Sequence, residues 1–178
     1  MKALFLDRDG VLNVLRHNDY VKCPDELEIL PGVTEALGIL RQHFDRLIVV
    51  TNQQGIGKGL MTEADLVAIH SKLTEETGGV IDRIYHCPYL ESAHSFQRKP
   101  NIGMALQARR DFPGLRLKEC VMVGDSMTDM LFGRRAGMTT VLVGDNSDVT
   151  QTKPHLVDMK YDTLIDFARA IKETMIRF

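Results

Sequence analysis

Ala3-Leu4-Phe5-Leu6-Asp7-Arg8-Asp9-Gly10 is the stretch on which the reading of this chain turns. Four apolar residues, stopped abruptly by charge, read as a short buried strand. What stops the run is a pair of aspartates two positions apart, then a glycine. On extended backbone residues i and i+2 point to the same side, so Asp7 and Asp9 share one. Gly10 lets the chain turn sharply with no Cβ penalty. Two carboxylates held this close repel each other and call for a proton or a cation. Mg²⁺ is the expected cation, because it takes oxygen ligands and retains several waters or phosphate oxygens.

The pattern recurs. Leu47–Val50, Ile81–His86, Cys120–Val123 and Thr140–Val143 are further short apolar runs and are predicted strands. Between them lie amphipathic stretches. In Val33–His43, Val33, Ala36, Leu37 and Leu40 fall at helix-face spacing after Pro31-Gly32. In Thr62–Glu76, Thr62 is the expected N-cap, with Leu66, Ile69, His70 and Leu73 along one side. Asn101–Asp111, Ser126–Ala136 and Thr163–Ile176 read as helices too, while Tyr89–Lys99 and Gly144–His155 read as irregular. His43 and His70 are assigned structural roles. Met122, Met127, Met130 and Met138 are assigned to core packing.

Strand and helix in alternation imply an α/β domain with a mainly parallel sheet and helices on both faces, a Rossmann-like three-layer α/β/α sandwich. One domain over residues 1–178 is expected from the length. In open sheets of this kind ligands bind outside the carboxyl ends of the strands. Asp7 and Asp9 follow the first strand, Thr51-Asn52-Gln53 the second, and Gly124-Asp125-Ser126 the fourth, with Asp129 one helical turn later. Three strands thus deliver polar groups to one edge, and Asp125 completes a carboxylate-rich site with Asp7 and Asp9.

Composition excludes several classes. With 44% hydrophobic and 26% charged residues the chain is ordinary for a soluble globular protein. A net charge of −2 and no long Lys/Arg run give no electrostatic footprint for nucleic acid. The three cysteines, Cys23, Cys87 and Cys120, follow no pairing pattern, which suits a reducing compartment. The apolar run at the N-terminus is too short for a signal peptide or a membrane span, so a cytoplasmic protein with no membrane association is expected. Oligomeric state leaves no trace in the sequence.

Taken together, Asp7-Arg8-Asp9-Gly10-Val11-Leu12-Asn13, Thr51-Asn52-Gln53, Lys99 in Arg98-Lys99-Pro100, and Gly124-Asp125-Ser126-Met127-Thr128-Asp129 resemble the four motifs of the haloacid dehalogenase-like hydrolases. They stand in that superfamily's order and span residues 3–143. A D-x-D alone says little; four motifs in order at strand ends say much more. The resemblance implies that Asp7 is a nucleophile toward phosphorus, forming an aspartyl phosphate. It makes Asp9 the acid and then the base. It has Asp7, the Asp9 carbonyl and Asp125 hold Mg²⁺, has Thr51 and Lys99 bind the transferring phosphoryl group, and has Asp129 support the metal shell or orient Lys99.

Finer features are similar to one branch, that of the D-glycero-D-manno-heptose 1,7-bisphosphate 7-phosphatases and histidinol-phosphate phosphatases. These features are Asn13, Asp19-Tyr20-Val21, Thr51-Asn52-Gln53-Gln54-Gly55-Ile56 and Arg98-Lys99-Pro100. Members have little or no cap domain, which fits 178 residues. The resemblance places Asn52, Arg98 and Lys99 at substrate phosphate and His17, Asn18 and Asp19 in the loop facing the rest of the substrate. The chain is longer between Asn13 and Tyr20 than the branch's pattern. It also departs at a zinc segment: of C-x-H and C-x-C only Cys87 remains, with His94 nearby, and zinc takes four such ligands. No zinc is predicted, and packing of Tyr89 and Phe96 is expected to hold that loop instead.

The expected substrate is a small phosphate ester, heptose bisphosphate first and histidinol phosphate next. A polynucleotide 3′-phosphatase shares a Thr-Asn-Gln-x-Gly-Ile stretch but lacks support from a basic surface here. A non-catalytic phosphate-binding module is the alternative of another class; retention of Asp7, Asp9, Thr51, Lys99 and Asp125 together weighs against it.

Overall fold

The computed structural model describes residues 1–145 and 147–174. Its strands are β1 (Ala3–Leu6), β2 (Arg46–Asn52), β3 (Arg83–Cys87), β4 (Val121–Gly124), β5 (Thr139–Val143) and β6 (Met159–Tyr161). They form one all-parallel sheet in the order β3-β2-β1-β4-β5-β6. The helices are α1 (Val33–Leu40), α2 (Glu63–Glu76), α3 (Gly103–Asp111), α4 (Met127–Ala136), α5 (Ser147–Thr152) and α6 (Leu164–Thr174).

The central strands are apolar on both faces because both faces are covered. Leu4, Leu6, Val49 and Val123 face one way and pack with α1, α2 and α6. Ala3, Phe5, Ile48, Val50 and Met122 face the other, against Met104, Ala105 and Ala108 of α3 and Phe132 of α4. This period-two division produces the expected three layers. The assigned methionines follow: Met122, Met130 and Met138 are buried, and Met127 packs in the cluster that holds Met130.

Three details differ from expectation. The third strand lies later, because Asp82 is a corner and not a rung: its carboxylate accepts from Leu47 N (2.8 Å) and pairs with Arg41 and Arg46. The stretch Gly144–His155 is partly helical through α5, and β6 is an additional edge strand. Of the helix expected at Thr163–Ile176, Met175 and Ile176 lie outside the described residues.

The strand order reverses between β1, which leads outward to β2 and β3, and β4, which leads to β5 and β6. A parallel sheet opens a crevice at such a switch point, beyond its carboxyl edge. Asp7 follows β1 and Asp125 follows β4 there, and the Asp7 N–H donates to Val123 O at 3.0 Å.

Candidate active site

A cleft of about 310 Å³ opens at this edge, and Asp7, Asp9, Thr51, Asn52, Lys99 and Asp125 all line it. Four of the six, Asp7, Thr51, Asn52 and Asp125, are the first residue after a strand or its last rungs, so the sheet itself sets their spacing. Lys99 arrives from the β3–α3 loop. Its backbone is clipped to Asn52, whose Nδ2 donates to Lys99 O (3.1 Å) and whose Oδ1 accepts from Lys99 N (3.0 Å).

The Lys99 ammonium, 2% exposed, donates to Val50 O at 2.8 Å and lies 2.7 Å from both Asp7 Oδ1 and Asp129 Oδ1. Burial alone would lower its pKa, but Asp129 and Asp7 outweigh that and hold the lysine charged. Asp129 is fully buried and also accepts from Ser126 N, closing a capping box at the start of α4. One carboxylate thus anchors a helix and the lysine together. Gly124 makes room for it: a Cβ there would meet Asp129 Cβ at 2.2 Å.

Asp7, Asp125 and Asp129 bring carboxylate oxygens within 4.8 Å of one another. Burial first, then Asp129 and Asp125, push the Asp7 carboxyl well above its usual range, with Lys99 opposing. Burial, then Asp129, push Asp125 up to about 7. Asp7 and Asp125 are crowded hard-oxygen donors whose ionisation is resisted, which a divalent cation neutralises, so they fit Mg²⁺. The loop after β1 is shaped around them. Gly10 has φ +84°, and a Cβ at that position would lie 2.0 Å from Asp125 Oδ2.

Asp9 is set differently. Its Oδ1 accepts from Arg8 Nη2 (2.9 Å) and Asn13 Nδ2 (3.0 Å), and its Oδ2 from Gln53 Nε2 (2.9 Å). Burial would raise its pKa, but the Arg8 charge and these three donors hold it below the ordinary carboxylate range. Gln53 also donates to Thr51 Oγ1 at 2.9 Å, fixing that hydroxyl at the end of β2.

The expected substrate loop is only partly at the cleft. Asp19 lines it, paired with Lys22 at 2.9 Å, but His17 and Asn18 do not. These two are exposed at a turn closed by Asp19 N donating to Arg16 O, where Asn18 takes φ +58°. Leu15, Arg16 and Tyr20 line the cleft in their place. Arg98 lies in an adjoining depression with Glu91, His94 and Ser95; it meets the main cleft through its neighbour Lys99. The Tyr89–Lys99 loop is not held by aromatic packing, since Tyr89 and Phe96 are both more than half exposed. Polar ties hold it: Gly103 N donates to Phe96 O and Asn101 Nδ2 to Ser95 O, each at 3.1 Å.

Arg8, Asn13 and Gln53 are site residues that the sequence reading left without roles. Asn13 and Gln53 sit inside the quoted motifs, so their place there was the available signal. Arg8 is 1% exposed, a level at which an arginine needs a partner, but no local pattern shows which.

A switch-point cleft with a lysine-bridged aspartate, a second buried carboxylate and a fitting cation site points to one class: a phosphatase built on a parallel α/β sheet. A HAD-hydrolase-like family model matches residues 96–166. A D-glycero-beta-D-manno-heptose-1,7-bisphosphate 7-phosphatase of Haemophilus ducreyi is 36% identical, over 93% of this chain and 95% of the relative. A D-glycero-alpha-D-manno-heptose-1,7-bisphosphate 7-phosphatase of Mycobacterium bovis is 34% identical, over 95% and 90%. The crystal structure of the D,D-heptose 1,7-bisphosphate phosphatase from B. bronchiseptica, complexed with magnesium and phosphate, superposes with a TM-score of 0.87 at 31% identity, covering 97% of this chain and 99% of that one. The chain belongs to the haloacid dehalogenase-like hydrolases, in the branch of the heptose-1,7-bisphosphate 7-phosphatases.

Proposed function

We propose that this chain is a Mg²⁺-dependent phosphomonoesterase that removes the 7-phosphate of D-glycero-D-manno-heptose 1,7-bisphosphate through a phospho-aspartate on Asp7. The observation that carries the reading is the placement of Asp7 at the β1–β4 switch point, its Oδ1 held by Lys99 Nζ and the Arg8 N–H, both at 2.7 Å. Relatives of both anomeric names support the substrate.

Asp7 attacks phosphorus, and the bond from phosphorus to the sugar oxygen breaks. Lys99 offsets charge on the transferring group, and Thr51 donates a hydrogen bond to it. Arg8, Asn13 and Gln53 favour the Asp9 carboxylate, so Asp9 takes up a proton as the phosphate ester binds and passes it to the departing oxygen. The carboxylate then takes a proton from the water that attacks the phospho-aspartate and releases phosphate. Asp7, the Asp9 carbonyl and Asp125 would hold Mg²⁺, which supplies charge neutralisation between the anionic nucleophile and the anionic phosphate. Zinc has no place in this reading. The enzyme is read as cytoplasmic; among the described residues no helix is long and apolar enough to cross a membrane.

The test is phosphate release with Mg²⁺ across heptose bisphosphate, histidinol phosphate, common sugar phosphates and a 3′-phosphorylated oligonucleotide. Preference for heptose bisphosphate supports the reading. Preference for histidinol phosphate or the oligonucleotide transfers the same chemistry to that substrate.

A further inference from the structure

Arg8 buries a guanidinium between two elements far apart in sequence. Its Nη2 donates to Asp9 Oδ1 at 2.9 Å, and its Nη1 lies 3.4 Å from Nε2 of His70 on α2. For Arg8 to donate there, His70 must be neutral with Nε2 bare. The surroundings favour the neutral ring, since burial, then the Arg8 charge and His86, push the His70 pKa down to about 3. His70 is steadied in turn by His86, with ring centroids 6.1 Å apart, and His86 Nε2 lies 2.9 Å from Glu63 Oε2. Among the described residues Arg8 Nε has no partner, so Asp9 and His70 are the anchors of this side chain.

The consequence falls on Asp9. Asn13 and Gln53 are neutral donors; Arg8 is the charged one, and it fixes the carboxylate from the side of α2. A group that must deliver a proton to a departing oxygen needs its orientation set to a few tenths of an ångström, and neighbours that cannot move supply that. We infer that Arg8, seated on His70, is a positioning pair that aims Asp9 at the leaving oxygen of the substrate. His70 is thereby a functional residue on a helix that contributes nothing else to the cleft. The inference rests on Asp9 acting as proton donor, as proposed above.

The experiment compares two esters with Mg²⁺-loaded full-length enzyme, reading the first-turnover rate of alcohol or phenol release. An alkyl phosphate needs its leaving oxygen protonated. p-Nitrophenyl phosphate does not, because nitrophenolate is a stable anion. Asp9→Asn tests the underlying reading and should slow the alkyl ester by about 10²-fold or more while sparing the nitrophenyl burst. Arg8→Lys and His70→Leu should show the same selectivity at about tenfold, mainly in the rate at saturation and not in KM. His70→Gln, which restores an acceptor, should recover most of the loss. Leucine at position 70 lies beside Val67 and Ile84, so this variant keeps the fold testable if Arg8→Lys does not fold.

Equal losses on both esters in His70→Leu, or parental rates on both, overturn the positioning role. If Asp9→Asn leaves alkyl-ester release intact, the proton-donor reading falls and the positioning role falls with it. Selective loss in Asp9→Asn without selective loss in His70→Leu overturns the positioning role alone.

Discussion

Lys99 Nζ and Asp129 Oδ1 stand 2.7 Å apart with both side chains sealed from solvent, joining the β3–α3 loop to the first turn of α4. The pair sets where the lysine's remaining reach goes, which is to Asp7. A buried charge that loses its partner is costly, whereas the same pair exposed would contribute little.

Asp129→Asn should therefore destabilise the protein by about 3 kcal/mol, within the range for breaking a buried ion pair. Turnover should fall by at least about tenfold, since Lys99 loses one of the two anions that place it. Urea unfolding with steady-state rates checks both; a variant as stable and as active as the parent would show that Asp129 is only a helix cap.

Gly10→Ala should separate folding from metal use. Alanine at φ +84° costs about 1–2 kcal/mol. Its methyl also falls on Asp125 Oδ2, so Asp125 must turn away. The Mg²⁺ concentration for half-maximal activity should rise about 10–100-fold. A Mg²⁺ titration showing an unchanged midpoint would mean that Asp125 is not a ligand.

Stability should depend on pH with a definite sign. Asp125 has a folded pKa raised to about 7 against an ordinary value of 3.8, and Asp7 moves the same way. Between those values the native state holds more protons than the unfolded chain, so stability falls as pH rises through the window. The metal-free protein should melt lower at pH 8 than at pH 5.5, by about 2–4 °C for each kcal/mol lost. Mg²⁺ should raise the midpoint more at pH 8, where protons no longer compete with it. Equal Mg²⁺ stabilisation at both pH values would contradict the carboxylate site.

The elements legible in the sequence were those that bury apolar surface. Ala3–Leu6 and Val121–Val123 are buried on both faces, so their composition announces them. β6 was not legible because it is three residues long with exposed Lys160 at its centre, as an edge strand permits. α5 is six mostly polar residues with Val149 buried among them, too short for a periodic signal. Within the site, Asp7, Thr51 and Asp125 were legible because a strand end points each at the cleft. The Arg8–His70 contact spans 62 positions and exists only once α2 has packed on the sheet. His17 and Asn18 were expected at the cleft by resemblance alone; they sit exposed at the tip of a turn, and Arg16 lines the cleft instead.

The central claim is that Asp7 becomes phosphorylated. It is tested most directly by quenching the Mg²⁺-loaded enzyme in acid during turnover of heptose bisphosphate, reducing with borohydride, and reading residue 7 by peptide mass spectrometry. An acyl phosphate on Asp7 is reduced to homoserine, so homoserine at position 7, dependent on substrate and absent in Asp7→Asn, is the predicted result. Unmodified Asp7 under full turnover, or reduction at a different carboxylate, would contradict the account.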